Sequence, residues 1–529
     1  MKRFSSPLLI ISTAILVFTL GCTKSFEDLN KNDNKPTSVP AALLFNGILN
    51  DLYNAPYTMN ERWAQYYCCN YDYYGNNRYD FGSGSNYYST LKNVGKMEEE
   101  AIKGGAAELN PYSALAKFFR AYFFTQMTLQ MGDIPLTDAL KGVENLTPAY
   151  DPQKKVFQEA FTWLEAANTD LSQLISGNST TLSGDIFLGN NLQKWQKVVN
   201  TYRIRLLLHL SKKASDADLN VKQQLTSILA DATKYPIMVS AADNLQYSFA
   251  PPTNKYPMNP DNFGFDALRY NTNGTYIGLL TKNNDPRVYV VAEPASAIVG
   301  GGTSPTSFSA FVGAPAGEDL GIMYVKVNNG QYSLINRNHF YQTYTAEASI
   351  QIGYAELMFN IAEAINRGWV AAGPLGNAEA HYKEGIRTSM NFYGIPDAGA
   401  YDVFFLASGS PGTTAAYNKF TINADFNAFY NQPTVKYSGE TEAGLTQILE
   451  QRYIALFRHS GLEPYFTYRR TGVPAFGTGP GTGNSTRIAL RFKYPGSEST
   501  ANPTNYAKAL ETQFGGSDDI NGKMWIINN

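Results

Sequence analysis

Apolar side chains recur every three or four residues over long parts of this chain, which is the pattern of amphipathic helices. The stretches that show it most clearly are residues 40–67, 88–108, 111–131, 152–175, 192–211, 346–369, 377–393 and 445–457. Pro111 stands at the expected start of one of these helices, and proline is favoured in the first turn of a helix. The helices come in neighbouring pairs of roughly TPR length, and each pair needs a stacking neighbour to bury its stripe. The pattern predicts a mainly α fold with a TPR-like helix-pair scaffold.

Two long segments interrupt this periodicity. Residues 238–345 are rich in Pro, Asn, Tyr and Gly, and residues 396–440 are rich in Gly, Ala, Asn and Tyr. In the first segment, MYVKV and QYSLI flank Asn328-Asn329-Gly330, a sequence typical of a β-hairpin turn. We therefore expect an inserted irregular, loop-rich portion with a few short β-hairpins.

The chain divides by these patterns into seven parts. They are a signal peptide (1–21), a tether (22–40), an N-terminal helical TPR-like scaffold (41–237), a loop-rich insertion with a hairpin (238–345), further TPR-like helices (346–395), a second loop-rich insertion (396–440) and a C-terminal scaffold helix with a tail (441–529). Within the last part, Gly461 and Pro464 interrupt an unusually aromatic helical stretch. Its apolar stripe must face a core.

The first residues have the composition of an export signal. Lys2 and Arg3 precede an apolar run over residues 7–20, which is too short to span a bilayer comfortably. Gly21 and Cys22 follow, and a cysteine directly after a small residue resembles a bacterial lipoprotein signal in which Cys22 is lipidated. The alternative is cleavage as an ordinary secreted protein. The acidic SFED after the lipid site resembles the surface-export signal of Bacteroidetes lipoproteins.

The charge of the chain gives no indication of nucleic acid or an anionic membrane as a partner. The net charge is -2, and it becomes -4 once residues 1–21 and their two basic residues are removed, so nothing indicates nucleic acid as a partner. Tyrosine occurs 36 times, against 5 Trp and 4 His. Tyrosine combines an aromatic ring with a hydroxyl group, and this combination suits contact surfaces that are partly exposed to water.

The cysteines that remain after Cys22 are the adjacent pair Cys68 and Cys69. Adjacent cysteines form a disulfide only with strain, so we expect two buried thiols or at most a strained vicinal bridge. No His or Cys cluster at zinc spacing surrounds them, and we predict neither a metal nor a cofactor.

Motifs for catalysis are missing from the sequence. The four histidines are far apart, and no HExxH or GxSxG string occurs. The Gly-rich segment over residues 477–483 lacks the Lys-Ser/Thr of a phosphate loop, so we interpret it as a mobile loop. Arg469 and Arg470 are interpreted as structural, and the run Glu98 to Glu100 as a solvated helix face. We predict that the protein is not an enzyme.

Several segments, in order along the chain, resemble the SusD/RagB family of outer-membrane nutrient-binding lipoproteins. They are NKPTSVPAALLFNGIL, YSALAKFFRAYFFTQMTLQMGDIPLTDAL, IGYAELMFNIAEAINRGW, QRYIALFRHSGLEPYFTYRRTGVP and RIALRFKYPGSE. The resemblance implies a scaffold of TPR-like helix pairs whose loop-rich insertion carries the ligand surface. It also implies a surface-exposed lipoprotein, anchored by lipid in the outer membrane, that acts as a lid on a SusC-like TonB-dependent transporter.

Two loops have the side chains that sugar binding requires, namely flat rings for stacking and polar groups for the hydroxyls. The first contributes Tyr71, Tyr73, Tyr74, Asn76, Asn77, Arg78, Tyr79 and Asp80, and the second contributes Tyr270, Asn273 and Tyr276. Such loops also pack on scaffolds or partners. We predict a protein that captures oligosaccharide for the transporter; the alternatives are a peptide-binding relative or a TPR-like adaptor in an outer-membrane complex.

Overall fold

The computed structural model describes residues 38–178, 181–409 and 416–528. The predicted signal peptide, Cys22 and most of the predicted tether lie outside these residues. Beyond Pro40, the described residues form one compact unit. None of the helices described there is both long enough and apolar enough to span a bilayer.

Helices account for most of the regular structure. The first are α1 Ala41–Leu52, α2 Met59–Trp63, α3 Tyr88–Lys103, α4 Pro111–Met131, α5 Gln153–Ser176, α6 Leu192–His209 and α7 Val221–Ala230. Short helices follow, namely α8 Phe263–Asp266, α9 Gly274–Lys282, α10 Val288–Val291, α11 Ser296–Gly300, α12 Leu320–Asn328 and α13 Arg337–Tyr341. The last are α14 Tyr354–Asn366, α15 Ala378–Phe392, α16 Phe426–Tyr430, α17 Glu442–Ala455, α18 Glu463–Thr471, α19 Glu498–Ala501 and α20 Pro503–Phe514.

Strands are few and form separate antiparallel pairs. The pairs are β1 Tyr67–Cys69 with β3 Tyr270–Thr272, β2 Leu245–Tyr247 with β4 Ser349–Ile352, and β5 Ala398–Leu406 with β6 Tyr417–Asp425. The first two pairs join stretches that are far apart in sequence, so they tie the loop-rich region to the helices.

The long helices pack in succession, as the predicted scaffold requires. Helix α3 packs on α4, α4 on α5, α5 on α6 and α6 on α14, and α14 in turn packs on α15 and α17. The start of α4 is fixed by Asn110, whose side chain accepts hydrogen bonds from the backbone N–H groups of Tyr112 and Ser113. Pro111 occupies the first turn, where its missing N–H costs nothing. The mainly α fold and its helix pairs are confirmed.

Buried ion pairs join helices that are distant in sequence. Glu356 on α14 accepts from Arg205 on α6, with its Oε1 2.8 Å from Arg205 Nε, and from Arg452 on α17 at 2.8 Å. Arg452 also lies 3.4 Å from Glu463, which contacts His209 at 3.0 Å. Because all five side chains are buried, removing any one charge leaves its partners in a low-dielectric interior.

The paired arginines at the end of α18 are structural, as the sequence indicates. Arg470 makes a two-pronged contact with Glu363, at 2.5 and 2.6 Å. Arg469 donates to the backbone carbonyls of Leu129 and Leu490, at 2.6 and 3.0 Å. These contacts hold α18 against the rest of the scaffold.

The predicted hairpin at Asn328-Asn329-Gly330 is wrong. The residues MYVKV lie in α12, which begins because the carboxylate of Asp319 accepts from the backbone N–H groups of Gly321 and Ile322. A second difference lies in the segment over residues 396–440, expected to be irregular, which contains the nine-residue strands β5 and β6. Along β6, Phe420, Ile422 and Ala424 alternate with polar residues, a period-two pattern that the expectation of an irregular segment overlooked.

Glu61 is a buried carboxyl group whose protonation depends on folding. Burial, only partly offset by the nearby charge of Arg458, raises the pKa of Glu61 to about 7. The folded chain therefore keeps a proton on Glu61 between pH 4.5 and about 7, where the unfolded chain has released it. This term favours the folded state fully below pH 4.5 and is lost as pH rises toward 7, a change of about 3 kcal/mol.

Replacing Glu61 by glutamine tests this. The amide oxygen still accepts the backbone N–H of Tyr57, which lies 2.8 Å from Glu61 Oε1, but the side chain no longer titrates. We expect Glu61→Gln to become more stable relative to the wild type by about 3 kcal/mol between pH 4.5 and pH 8, measured by urea unfolding. A difference that does not change with pH would show that Glu61 is already ionised in the fold.

Candidate functional site

Five tyrosine side chains form an exposed aromatic surface, which we term the tyrosine platform: Tyr71, Tyr73, Tyr74, Tyr270 and Tyr324. Tyr73 is 84% exposed, and the other four are half-buried. Ring centroids of Tyr71 and Tyr324 are 5.4 Å apart with planes at 29°, those of Tyr73 and Tyr74 are 5.5 Å apart, and those of Tyr74 and Tyr270 are 6.5 Å apart. The contacts make one continuous set of rings.

The loop after β1 holds three of these rings through backbone contacts. Asn77 closes the loop with both ends of its amide. Its Oδ1 accepts from the backbone N–H of Cys69, and its Nδ2 donates to the carbonyl of Cys69, each at 2.8 Å. Arg62 donates to the carbonyl of Asn76 at 2.9 Å. Gly75 has φ +142, and a Cβ there would lie 2.6 Å from Arg62 Nη1, so the turn requires glycine.

Strand pairing brings the two sequence candidates together. Cys69 of β1 lies opposite Tyr270 of β3, and the backbone N–H of Asn70 donates to the carbonyl of Arg269 at 2.9 Å. Asn70 also donates from Nδ2 to the carbonyl of Leu268. Tyr270 is thereby placed beside the loop that carries Tyr71, although about 200 residues separate them.

The remaining residues of the first candidate loop have structural contacts. Tyr79 is buried, and its hydroxyl donates to the carbonyl of Trp63 at 2.7 Å. Asp80 pairs with Arg78 at 2.5 Å and accepts from the backbone N–H of Asn484 at 2.7 Å. Tyr79 is buried, and Asn77 is buried with both ends of its amide engaged, so neither can contact a ligand. The predicted ligand contacts of these two residues are therefore corrected. Asn76, Arg78 and Asp80 are exposed beside the platform.

The second candidate contributes only its first residue to the platform. Asn273 is buried at the start of α9, where its side chain accepts from the backbone N–H of Thr275. Tyr276 is fully buried and stacks on Phe457, with ring centroids 4.6 Å apart. Both belong to the core, so their predicted ligand contacts are corrected. The YNTNGTY pattern could not reveal this, because Tyr276 lies in the first turn of α9 and is buried by rings from distant segments, such as Tyr66 and Phe457.

Two residues of the site were missed from the sequence. Tyr324 belongs to the segment interpreted as a strand, and α12 instead presents it beside Tyr71, with exposed Ile322 and Val325 on the same helix. Arg269 directly precedes Tyr270, and its guanidinium carbon lies 4.6 Å from the ring centroid of Tyr71. The sequence feature that could have indicated Arg269 was its position directly before the YNTNGTY segment.

The cysteines are two buried free thiols. The Sγ of Cys68 accepts a hydrogen bond from Asn273 Nδ2 at 3.2 Å, and burial raises the pKa of Cys68 to about 12. Burial also raises the pKa of Cys69. In the part of the chain that the structure describes, no group of three or more His, Cys, Asp or Glu side chains could hold a metal ion.

The Gly-rich segment over residues 477–483 packs against the loop that follows β1. A Cβ on Gly479 would lie 2.4 Å from the carbonyl oxygen of Gly317, so the two backbones touch where side chains would collide. Gln65 donates to the Gly477 carbonyl at 2.7 Å, and the backbone N–H of Tyr79 donates to the Thr482 carbonyl at 2.8 Å. The expectation of a mobile loop is replaced by a packed segment.

A separate cleft of about 450 Å³ lies between α14, α15 and the β2–β4 pair. Its lining includes Ile350, Tyr354, Phe392 and His459. Glu384, the acidic residue of this lining, accepts from the Thr388 hydroxyl at 3.4 Å. The cleft has the size of a small molecule, whereas the tyrosine platform is open enough for a polymer.

Comparisons with known proteins agree with this architecture. Residues 33–495 match a family described as SusD-like, starch-binding and associating with the outer membrane. A SusD homologue of Bacteroides fragilis is 32% identical over 93% of this chain and 100% of its own, with a TM-score of 0.78. A second from the same species is 28% identical with the same coverage and a TM-score of 0.75.

A chitin-binding SusD homologue of Flavobacterium johnsoniae has a TM-score of 0.68 over 92% of this chain and 99% of its own. At 19% identity it shows a shared fold. No curated protein matches the chain.

Proposed function

This chain belongs to the SusD-like family of starch-binding proteins that associate with the outer membrane, and from that premise we propose that it captures an oligosaccharide on the tyrosine platform. In this proposal it is a surface-exposed lipoprotein anchored through Cys22, and it delivers the glycan to a SusC-like TonB-dependent transporter. Cys22 lies outside the described residues, so the anchor rests on the sequence pattern.

The observation that carries the proposal is the arrangement of the five rings. Pyranose rings have flat C–H faces that pack on aromatic rings, while their hydroxyls need polar groups at the ring edge. The platform offers both, because Tyr71, Tyr73 and Tyr324 present adjacent rings and Asp72, Asn76 and Arg78 stand exposed beside them. Centroid spacings between 5.4 and 6.5 Å let neighbouring sugars of one chain meet different rings.

An open surface also favours a glycan over a peptide. A peptide site uses a groove with backbone partners, as in strand addition to a sheet edge. On the platform side, β1 has β3 on one edge, and the loop that follows is closed on itself by Asn77. The exposed features of the described platform are side-chain rings, which match the C–H faces of sugars but do not form a groove with backbone partners for a peptide.

We propose binding without hydrolysis. Glycoside hydrolysis needs two carboxyl groups facing the scissile bond. Asp80 is engaged by Arg78 and by the backbone of Asn484, so the loop offers one acidic side chain, Asp72, without an ion pair among the described residues. Sugar release from bound glycan by the purified chain, followed by chromatography, would overturn this part.

Isothermal titration with the lipid-free chain from Thr23 onward tests the site. Across a panel of oligosaccharides, Tyr73→Ala should weaken the tightest binder about threefold to tenfold, because one ring contact is lost. Tyr73 is largely exposed, so the fold should not respond. The matched control is Tyr506→Ala on α20, a half-buried tyrosine that contacts Asp518 and Tyr494.

Equal affinity of the wild type and Tyr73→Ala, with unchanged heats, would place the glycan elsewhere. A loss of affinity shared by Tyr506→Ala would mean that the effect comes from general perturbation and not from the platform.

A further inference from the structure

The guanidinium of Arg269 is placed at the tyrosine platform with no acceptor among the described residues. Its carbon lies 4.6 Å from the ring centroid of Tyr71 and 5.9 Å from that of Tyr74. Within residues 38–178, 181–409 and 416–528, it is the arginine whose side chain donates no hydrogen bond, and its Nε is buried without a partner. An arginine that stabilised only the fold would be expected to use these donors.

Other arginines of the described chain show what the usual arrangement is. Arg78 pairs with Asp80, Arg337 with Glu293 and Arg470 with Glu363. Arg62, behind the platform loop, resembles Arg269 in having no carboxylate partner in the described chain, and its Nε is also buried without an acceptor. Two guanidiniums therefore lie at the platform loop without an ion pair to a described residue, Arg269 against its rings and Arg62 behind it.

The acidic groups nearby do not engage Arg269. Asp72 is exposed at the tip of the loop and makes no ion pair with a described residue. Asp80 is already held by Arg78, and Glu318 is paired with Lys326. Asp266 is buried, with Oδ1 unpartnered, and although burial raises the pKa of Asp266 to about 6, this carboxyl is still largely ionised at pH 7. The charges around the platform are therefore nearly balanced, and what sets Arg269 apart is that its donors have no acceptor among the described residues.

A guanidinium that lies against a ring keeps the N–H donors of its two Nη atoms available, whereas the buried Nε of Arg269 is closed to a ligand. Those donors match the spacing of two oxygens of a carboxylate or sulfate, and such two-pronged contacts are among the strongest polar interactions in proteins. The ring beneath also limits the rotation of the side chain, so less entropy is lost on binding.

We infer that the platform takes an acidic glycan, in which a carboxylate or sulfate accepts from Arg269 while adjacent sugar rings stack on Tyr71 and Tyr324. The inference rests on the proposed function and specifies its ligand class. It predicts that neutral chains with the same backbone bind more weakly, because the donors of Arg269 then meet only hydroxyl groups or water.

Matched pairs of polymers test the inference. Polygalacturonate is compared with its methyl ester, and dextran sulfate with dextran, so that each pair differs in charge but not in backbone. We expect the acidic member of at least one pair to bind the lipid-free chain about tenfold or more tightly, and the pair that responds identifies carboxylate or sulfate. Arg269→Gln should remove most of that difference, and Arg269→Lys should restore part of it.

Arg387→Gln is the control, since it removes an equally charged side chain that pairs with Asp397 on the scaffold. The inference is overturned if acidic and neutral members bind equally, or if Arg269→Gln lowers the preference no more than Arg387→Gln does. If neutral glycans bind and Tyr73→Ala weakens them, the inference fails while the proposed function stands. If no glycan of any kind binds, both fail.

Discussion

Glu356→Gln is expected to lower the free energy of unfolding by about 3–5 kcal/mol, the largest effect on stability of any single substitution considered. Glu356 has 3% of its side chain exposed and is shared by Arg205 and Arg452, which are equally buried. The glutamine fits the same space but carries no charge, so two guanidiniums remain in the interior with Glu463 as the nearest acid. The loss of stability is large because two desolvated cations are left without this counter-charge.

Urea unfolding followed by circular dichroism measures this loss. The control is Asp138→Asn, which breaks an ion pair with Lys141 whose two side chains are 40% and 45% exposed, and which should cost less than about 1 kcal/mol. If both variants unfold at the same urea concentration, the network does not stabilise the packing of α6, α14 and α17.

The largest expected effect on function is that of replacing Tyr71, Tyr73 and Tyr324 together by alanine. Each ring contributes a separate stacking surface, so the combined loss of affinity for the bound oligosaccharide should reach roughly 100-fold. The three residues come from one loop and one helix, and none is buried in the core. Circular dichroism should therefore show the same helix content as in the wild type.

Titration calorimetry gives the affinity of this triple variant. A matched variant, Tyr150→Ala with Tyr506→Ala, removes two half-buried rings that contact Tyr494 and lie outside the platform. It should bind as the wild type does. A triple variant that keeps an affinity within threefold of the wild type would remove the platform as the site.

The scaffold could be predicted because its signal is local and repeated. Helices α5, α14 and α15 have apolar stripes several turns long, and that periodicity survives in any helical packing. The wrong hairpin shows where the local signal ends. Val325 and Val327 favour strands, yet the cap supplied by Asp319 and the contacts of Met323 with the core decide for a helix.

The site was predictable only in part, because burial depends on contacts between distant segments. Tyr73 and Tyr79 belong to the same tyrosine-rich loop, but one is 84% exposed and the other 1%. The difference arises from Trp63 and Gln65, which hydrogen-bond the hydroxyl of Tyr79. Tyr324 lies about 250 residues from Tyr71, and only the fold brings the two together.

A crystal structure of the chain with the oligosaccharide that binds most tightly tests the central claim most directly. The account predicts sugar rings stacked on Tyr71, Tyr73 or Tyr324, with polar contacts from the loop that Asn77 closes. Sugar bound in the cleft beside Phe392 and His459, with the tyrosine platform left bare, would contradict it.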